Sequence, residues 1–339
     1  MNLTFDQPYH EFFETFTRFE NAPTWTLGNG DFESGLGEFQ ISSVSPDGIK
    51  LVRKKQSNQG FNTILVHAYQ GQEKLADLAK RHRIEDFNRV SPELVPIEVK
   101  QTYRNYGVVL LQTVVLLLNI RDRELRRAIY NCIDINKFRQ ALSPGQSIFK
   151  NIKTILPIGV PGAVEGVPDQ KCRVDKLAGR RIASVKFWNW KDNNRDVLRD
   201  FWADFTRSTG IPIAYSDITP ERLFAIAKRQ ERDHELITIG LSATEFHYKD
   251  FYQYLVHPHH TLFSVSAVDM SADLAKLDAR PTKEELAFGI SRIDTVLADE
   301  ALALPLFQQV REFYYPSNLK GFNFGSNFLE HPIVSEISN

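Results

Sequence analysis

The chain has 339 residues, with 41 Lys plus Arg against 42 Asp plus Glu and a formal net charge of −1. That length accommodates two lobes, each with its own core. The near balance of charge speaks against a bulk attraction to nucleic acid or to an anionic membrane.

Residues 3–6 read as a strand end, and Pro8 opens a helix with Phe12, Phe13, Phe16 and Phe19 along one side. The start, Met1-Asn-Leu-Thr-Phe-Asp6, lacks the basic residues and apolar core of a secretion signal. Gly35-Leu-Gly37 precedes a strand and not a helix, so no helix N-terminus is at hand to hold a phosphate. Residues 40–44 and 48–54 are predicted strands joined at Ser45-Pro-Asp-Gly48, where Pro sets φ and Gly accepts a positive φ. Residues 64–68 form a short apolar strand and 73–83 a helix. The basic run Lys80-Arg-His-Arg83 suits a solvated helix end rather than a binding patch.

The stretch 106–134 organises the rest. A run of Val and Leu, interrupted by Gln112 and Thr113, ends at Asn119; it is too short to span a bilayer and reads as a strand buried on both faces. A helix then begins near Asp122, with Leu125, Ala128, Ile129 and Cys132 on one apolar face. Cys132 and Cys172, the two cysteines, leave one disulfide or two buried thiols open. The apolar setting of Cys132 favours thiols.

Beyond it, Ser143-Pro-Gly145 and residues 156–162 form an irregular Pro/Gly-rich connection. Residues 182–188 alternate as a strand, and 195–208 form a helix with Leu198, Phe201, Trp202 and Phe205 inward. Gly210-Ile-Pro-Ile213 begins another strand. Thr219 caps a helix with Pro220 in its first position and Leu223, Ile226 and Ala227 toward the core. Residues 235–240 are a further strand and 284–301 a long helix.

Several of these segments together carry a resemblance. Val115-Leu-Leu-Leu-Asn119, Leu125-Arg-Arg-Ala-Ile129 and Cys132-Ile-Asp134 resemble the hinge strand and following helix of family 5 extracellular solute-binding proteins, the peptide, nickel and oligosaccharide receptors of ABC importers. Gly35-Leu-Gly37-Glu-Phe39, Gly210-Ile-Pro-Ile213, residues 235–240, Ala303-Leu-Pro-Leu-Phe307 and Gly321-Phe-Asn323 are similar to further motifs of that family, in the same order. The family's earlier strands have no counterpart before Met1. The resemblance therefore implies an α/β, two-lobe periplasmic-binding-protein-like (type II) fold with the first lobe incomplete. Its parts would be residues 1–110, a second α/β lobe at 111–309, and a return at 310–339, with hinges at 107–112 and 310–315.

Ligands of open α/β sheets gather beyond the carboxyl ends of strands. Trp190 and Asn193 follow one strand, and Thr244, Glu245, Phe246 and His247 follow another; with Asn119 they are the candidate ligand residues. Aromatics, amides and a carboxylate suit a partly apolar ligand carrying an amine or hydroxyls, although the tryptophans could simply pack. By resemblance, Thr244 stands where peptide receptors place an Asp for the α-ammonium, a charge that Glu245 could supply instead. His257, His259 and His260 are weak metal candidates, since Pro258 interrupts them and no i, i+4 pair exists. No catalytic constellation is legible, and no cofactor is expected.

The resemblance implies a solute-binding protein that closes by hinge motion on a peptide or sugar-like ligand and docks on an ABC permease. It implies a periplasmic or extracytoplasmic location, which the missing signal opposes. The alternatives are a ligand-sensing domain of a cytoplasmic regulator, or a truncated remnant that binds nothing. An incomplete lobe also leaves a sheet edge through which copies could associate.

Overall fold

A computed structural model describes residues 25–26, 32–33, 39–45, 48–56, 61–67, 95–144, 146, 149–189, 194–227, 234–243, 248–257, 262–263, 268–278, 282–318 and 320. The expected strand end at 3–6, the Phe-rich helix after Pro8, the Gly35–Gly37 turn and the helix at 73–83 lie outside these residues. The chain divides into two compact units, Met1–Tyr106 with Glu312–Asn339, and Gly107–Arg311.

In the first unit β1 (Trp25–Thr26) pairs with β2 (Phe32–Glu33). β3 (Phe39–Ser45), β4 (Gly48–Arg53) and β5 (Thr63–His67) make an antiparallel sheet in that order. Ser45 faces Gly48 at the tip of the β3–β4 hairpin, and Gly48 has φ 150°, a value that L side chains rarely adopt. A short helix, α1 (Ile97–Thr102), leads directly into β6 (Tyr103–Leu118).

The second unit contains most of β6 and the elements that follow it, the last strand only as far as Arg311. These are α2 (Arg123–Cys132), α3 (Ile135–Leu142), β7 (Val185–Asn189), α4 (Arg195–Thr209), β8 (Ile213–Asp217), α5 (Pro220–Ala227), β9 (Leu236–Ser242), α6 (Tyr248–Val256), α7 (Ser271–Asp278), α8 (Lys283–Asp299) and β10 (Ala303–Pro316). Among the described residues its sheet has the order β10-β6-β9-β7-β8. β7 runs parallel to β8 and to β9, whereas β6 runs antiparallel to β9 with Gln112 opposite Ser242 and Leu118 opposite Leu236.

Helices cover both faces of this sheet, which is why β6 reads as an almost unbroken apolar run. Val115 and Leu117 enter one core with Ile237 of β9 and with Phe251, Tyr252, Leu274, Ile290, Ile293 and Leu297 of α6, α7 and α8. Leu116 and Leu118 enter the other, with Ile129, Phe138, Leu198, Trp202 and Phe205 of α2, α3 and α4. The two polar interruptions are both satisfied: Thr113 Oγ1 donates to Ile155 O at 2.7 Å, and Gln112 Nε2 donates to Ser242 Oγ at 3.1 Å.

Local signals set the helix ends. The carboxylate of Asp122 accepts from the amides of Glu124 and Leu125, and that of Asp134 from Lys137, so Asp134 opens α3 rather than merely closing α2. Thr282 and Glu285 form a reciprocal capping box on α8. Gly210, with φ 72°, ends α4 in the left-handed conformation.

Cys132 and Cys172 are joined, with Cα atoms 4.4 Å apart, which corrects the expectation of two buried thiols. Cys132 lies in the last turn of α2 at the edge of its apolar face and is only half-buried. Its sulfur therefore reaches the extended segment 163–174, where Gln170 also donates to Tyr130 O. Among the described residues no helix is long and apolar enough to cross a membrane.

Candidate ligand site

Because β7, β8 and β9 share one direction, their carboxyl ends gather at one edge of the sheet, and the segments 190–193 and 244–247 leave from that edge. Trp190, Asn193, Thr244, Glu245, Phe246 and His247 themselves lie outside the described residues. What frames them is described. Asn189 Nδ2 donates to Asn194 Oδ1 at 2.9 Å and to Tyr215 Oη at 2.8 Å, so a hydrogen bond between buried amides closes the base of the 190–193 loop. Asn194 Nδ2 in turn donates to Leu142 O at 2.8 Å, anchoring the loop to the end of α3. Ile218 N donates to Asn189 O at 2.9 Å, drawing the end of β8 against it.

Charge collects beside this frame. The Arg222 guanidinium of α5 lies 4.3 Å from the ring centroid of Trp188, and Lys186 Nζ 5.8 Å from it. Arg195 Nε is 3.2 Å from Asp217 Oδ1. Sequence reasoning took Asn189 only as the start of a loop and missed Asn194. Their signal was two amides bracketing a strand-to-helix junction, which resembles ordinary loop composition.

Asn119 stands apart from the other candidates. It follows the carboxyl end of β6, but β6 is antiparallel to β9, so Asn119 sits at the amino end of β9, away from Ser242. Seven residues of strand separate the two ends, about 20 Å. Its side chain is also committed: Nδ2 donates to His234 O at 2.6 Å, and its backbone N donates to Glu235 O. Asn119 is a splint between two strands, not a partner of the loops after β7 and β9.

His257 ends the α6 region, with its amide donating to Gln253 O at 3.2 Å, while His259 and His260 lie outside the described residues. Among the described residues no group of three or more His, Cys, Asp or Glu is placed to hold a metal.

The fold recurs in solved structures. An ABC transporter substrate-binding protein, CtaP of Listeria monocytogenes, matches with a TM-score of 0.74 at 12% identity, over 89% of this chain and 66% of its own. The chain has the solute-binding-protein fold. NikA from Brucella suis, crystallised with Fe(III)-EDTA, matches at 0.72 and 15% identity over 90% of this chain and 68% of its own. A dipeptide binding protein from Pseudoalteromonas sp. SM9913, in complex with Met-Leu, matches at 0.71 and 11% identity over 97% of this chain and 68% of its own. The chain thus spans about two thirds of the length of these proteins. No family model and no curated protein matches its sequence.

Proposed function

We propose that this chain is a solute-binding protein that takes a peptide or sugar-like ligand at the loops following β7 and β9 and presents it to an ABC permease. The observation that carries this reading is the likeness to solute-binding proteins over 89% to 97% of the chain. The residue types agree with it: Trp190 and Phe246 supply apolar faces, Asn193 an amide, and Glu245 a carboxylate for an ammonium group. The buried Asn189–Asn194 bond supports it further, because it ties together the two described residues that flank segment 190–193.

Closure turns on the two chain crossings, at Tyr106/Gly107 within β6 and Arg311/Glu312 within β10. The Cys132–Cys172 bond supports an extracytoplasmic location over a regulator in a reducing cytoplasm. Self-association belongs to the same proposal. Ile41, Val44 and Ile49 share one face of the β3–β4 hairpin by register and are exposed, an apolar surface open to a second copy. Sedimentation at rising concentration tests that part.

The main test is native mass spectrometry of the purified chain, followed by thermal unfolding with panels of peptides, sugars and nickel. A ligand at a hundred times its Kd adds about 2.7 kcal/mol of stability. A chain that carries nothing from expression, and gains no stability from any member of the panels, overturns the reading.

A further inference from the structure

An open cavity of about 460 Å3 lies in the second unit, where the carboxyl end of β6 meets the amino ends of β7 and β9. It sits at the opposite sheet edge from the loops of the proposed ligand site. The apolar part of its lining is formed by Ile120, Leu125, Leu177 and Val185, all buried. Its mouth carries three exposed arginines, Arg121, Arg180 and Arg181.

The two carboxylates that line this cavity, Asp122 and Glu235, are already engaged. Asp122 accepts from the amides of Glu124 and Leu125 and from Arg180, and these bonds together hold its carboxyl below the ordinary range against the opposing effect of burial. Glu235 Oε2 accepts from Lys186 N at 2.8 Å. The guanidinium groups of Arg121 and Arg181 make no hydrogen bond or ion pair among the described residues. An apolar wall beneath two uncommitted guanidinium groups is complementary to an anion with an apolar body.

We propose that this cavity is a second binding site, for a small amphipathic carboxylate whose apolar part lies against Ile120, Leu125, Leu177 and Val185 and whose head pairs with Arg121 and Arg181. Guanidinium geometry favours the planar carboxylate, two parallel N–H donors meeting two oxygens. An inorganic anion lacks the body that the wall desolvates.

The test titrates the oxidised chain with 3-phenylpropionate, 3-phenylpropanamide and inorganic phosphate, read by amide chemical shifts and calorimetry. The acid is expected to bind with shifts at Ala183 and Glu235, and the amide about tenfold more weakly or not at all, a difference of one charge-assisted contact. The exposed double variant Arg121→Ala, Arg181→Ala is expected to lose the acid by a similar factor while unfolding at the wild-type midpoint. Equal binding of acid and amide, wild-type affinity in the double variant, or phosphate binding as well as the acid each overturns the proposal. Shifts confined to Asn189 and Ser242 would place the probe at the loops after β7 and β9 and overturn this site without touching the proposed function.

Discussion

Tyr252 Oη donates to Asp294 Oδ1 at 3.0 Å, joining α6 to α8 inside one of the two apolar cores. Burial drives the Asp294 carboxyl up to about 7, against the opposing pull of the Tyr252 hydroxyl and the Ile155 amide. Among the described residues Tyr130 of α2, raised by burial and then by Asp294, also feels this charge.

The native state therefore holds a proton that the unfolded chain, with an ordinary value of 3.8, releases earlier. Stability falls as pH rises from about 4 through 7 and then levels off. Asp294→Asn removes that dependence. The variant is expected to gain on wild type as pH climbs, reaching on the order of 2–4 kcal/mol at pH 8. Denaturant midpoints of both proteins across pH 4 to 8 measure the difference; parallel curves would sink the idea.

Arg126 closes the end of α8. Its guanidinium is buried and donates to Glu300 O at 3.0 Å, to Ile120 O at 2.6 Å and to Arg121 O at 3.2 Å, while Arg127 donates to Asp299 O at 2.9 Å. These are carbonyls that a helix terminus and a strand end leave unpaired. Arg126→Ala strands them and is expected to cost about 2–4 kcal/mol. Arg126→Lys recovers little, since one ammonium cannot reach the same spread of acceptors. Equilibrium unfolding of the two variants decides it, and full rescue by lysine would contradict the account.

The Cys132–Cys172 bond closes a loop of sequence separation 40. Chain entropy alone makes such a closure worth about 4 kcal/mol. The double variant Cys132→Ala, Cys172→Ala should unfold at a lower midpoint by that order, and thiol reductant should destabilise the wild type alone. A midpoint indifferent to reductant would show that the bond does not form in solution.

Asn194 links the Asn189 amide to the Leu142 carbonyl. Asn194→Ala leaves Asn189 and Leu142 O short of a partner and is expected to cost about 1–3 kcal/mol. It should also weaken any ligand held beside Asn189 through faster release, because binding then has to fix a freed side chain. Dissociation rates from the ligand found in the thermal panel test this; an unchanged rate would separate the pin from binding.

The fold was legible wherever local periodicity decides structure. Val115 and Leu117 against Leu116 and Leu118 announced a strand covered on both sides, and Leu198, Trp202 and Phe205 announced the inner face of α4. What local pattern cannot carry is strand direction. Asn119 follows a strand just as Trp190 does, yet β6 opposes β9, and that relation exists only once the sheet is assembled. The disulfide was hidden for a related reason, since the segment around Cys172 holds only a single 3-10 turn and no period to place it. Helix α3 was missed although Ile135, Phe138, Ala141 and Leu142 form its buried side, because eight residues carry only two turns of the pattern.

The reversed strand has one more result. Gln112, bonded to Ser242, stands near the loops after β7 and β9, and Asn119 lines the arginine-rimmed cavity at the other edge. One continuous backbone thus forms part of two separate walls. Any tilt of that strand tilts both walls together, so the two places share a common beam whether or not their occupants ever meet.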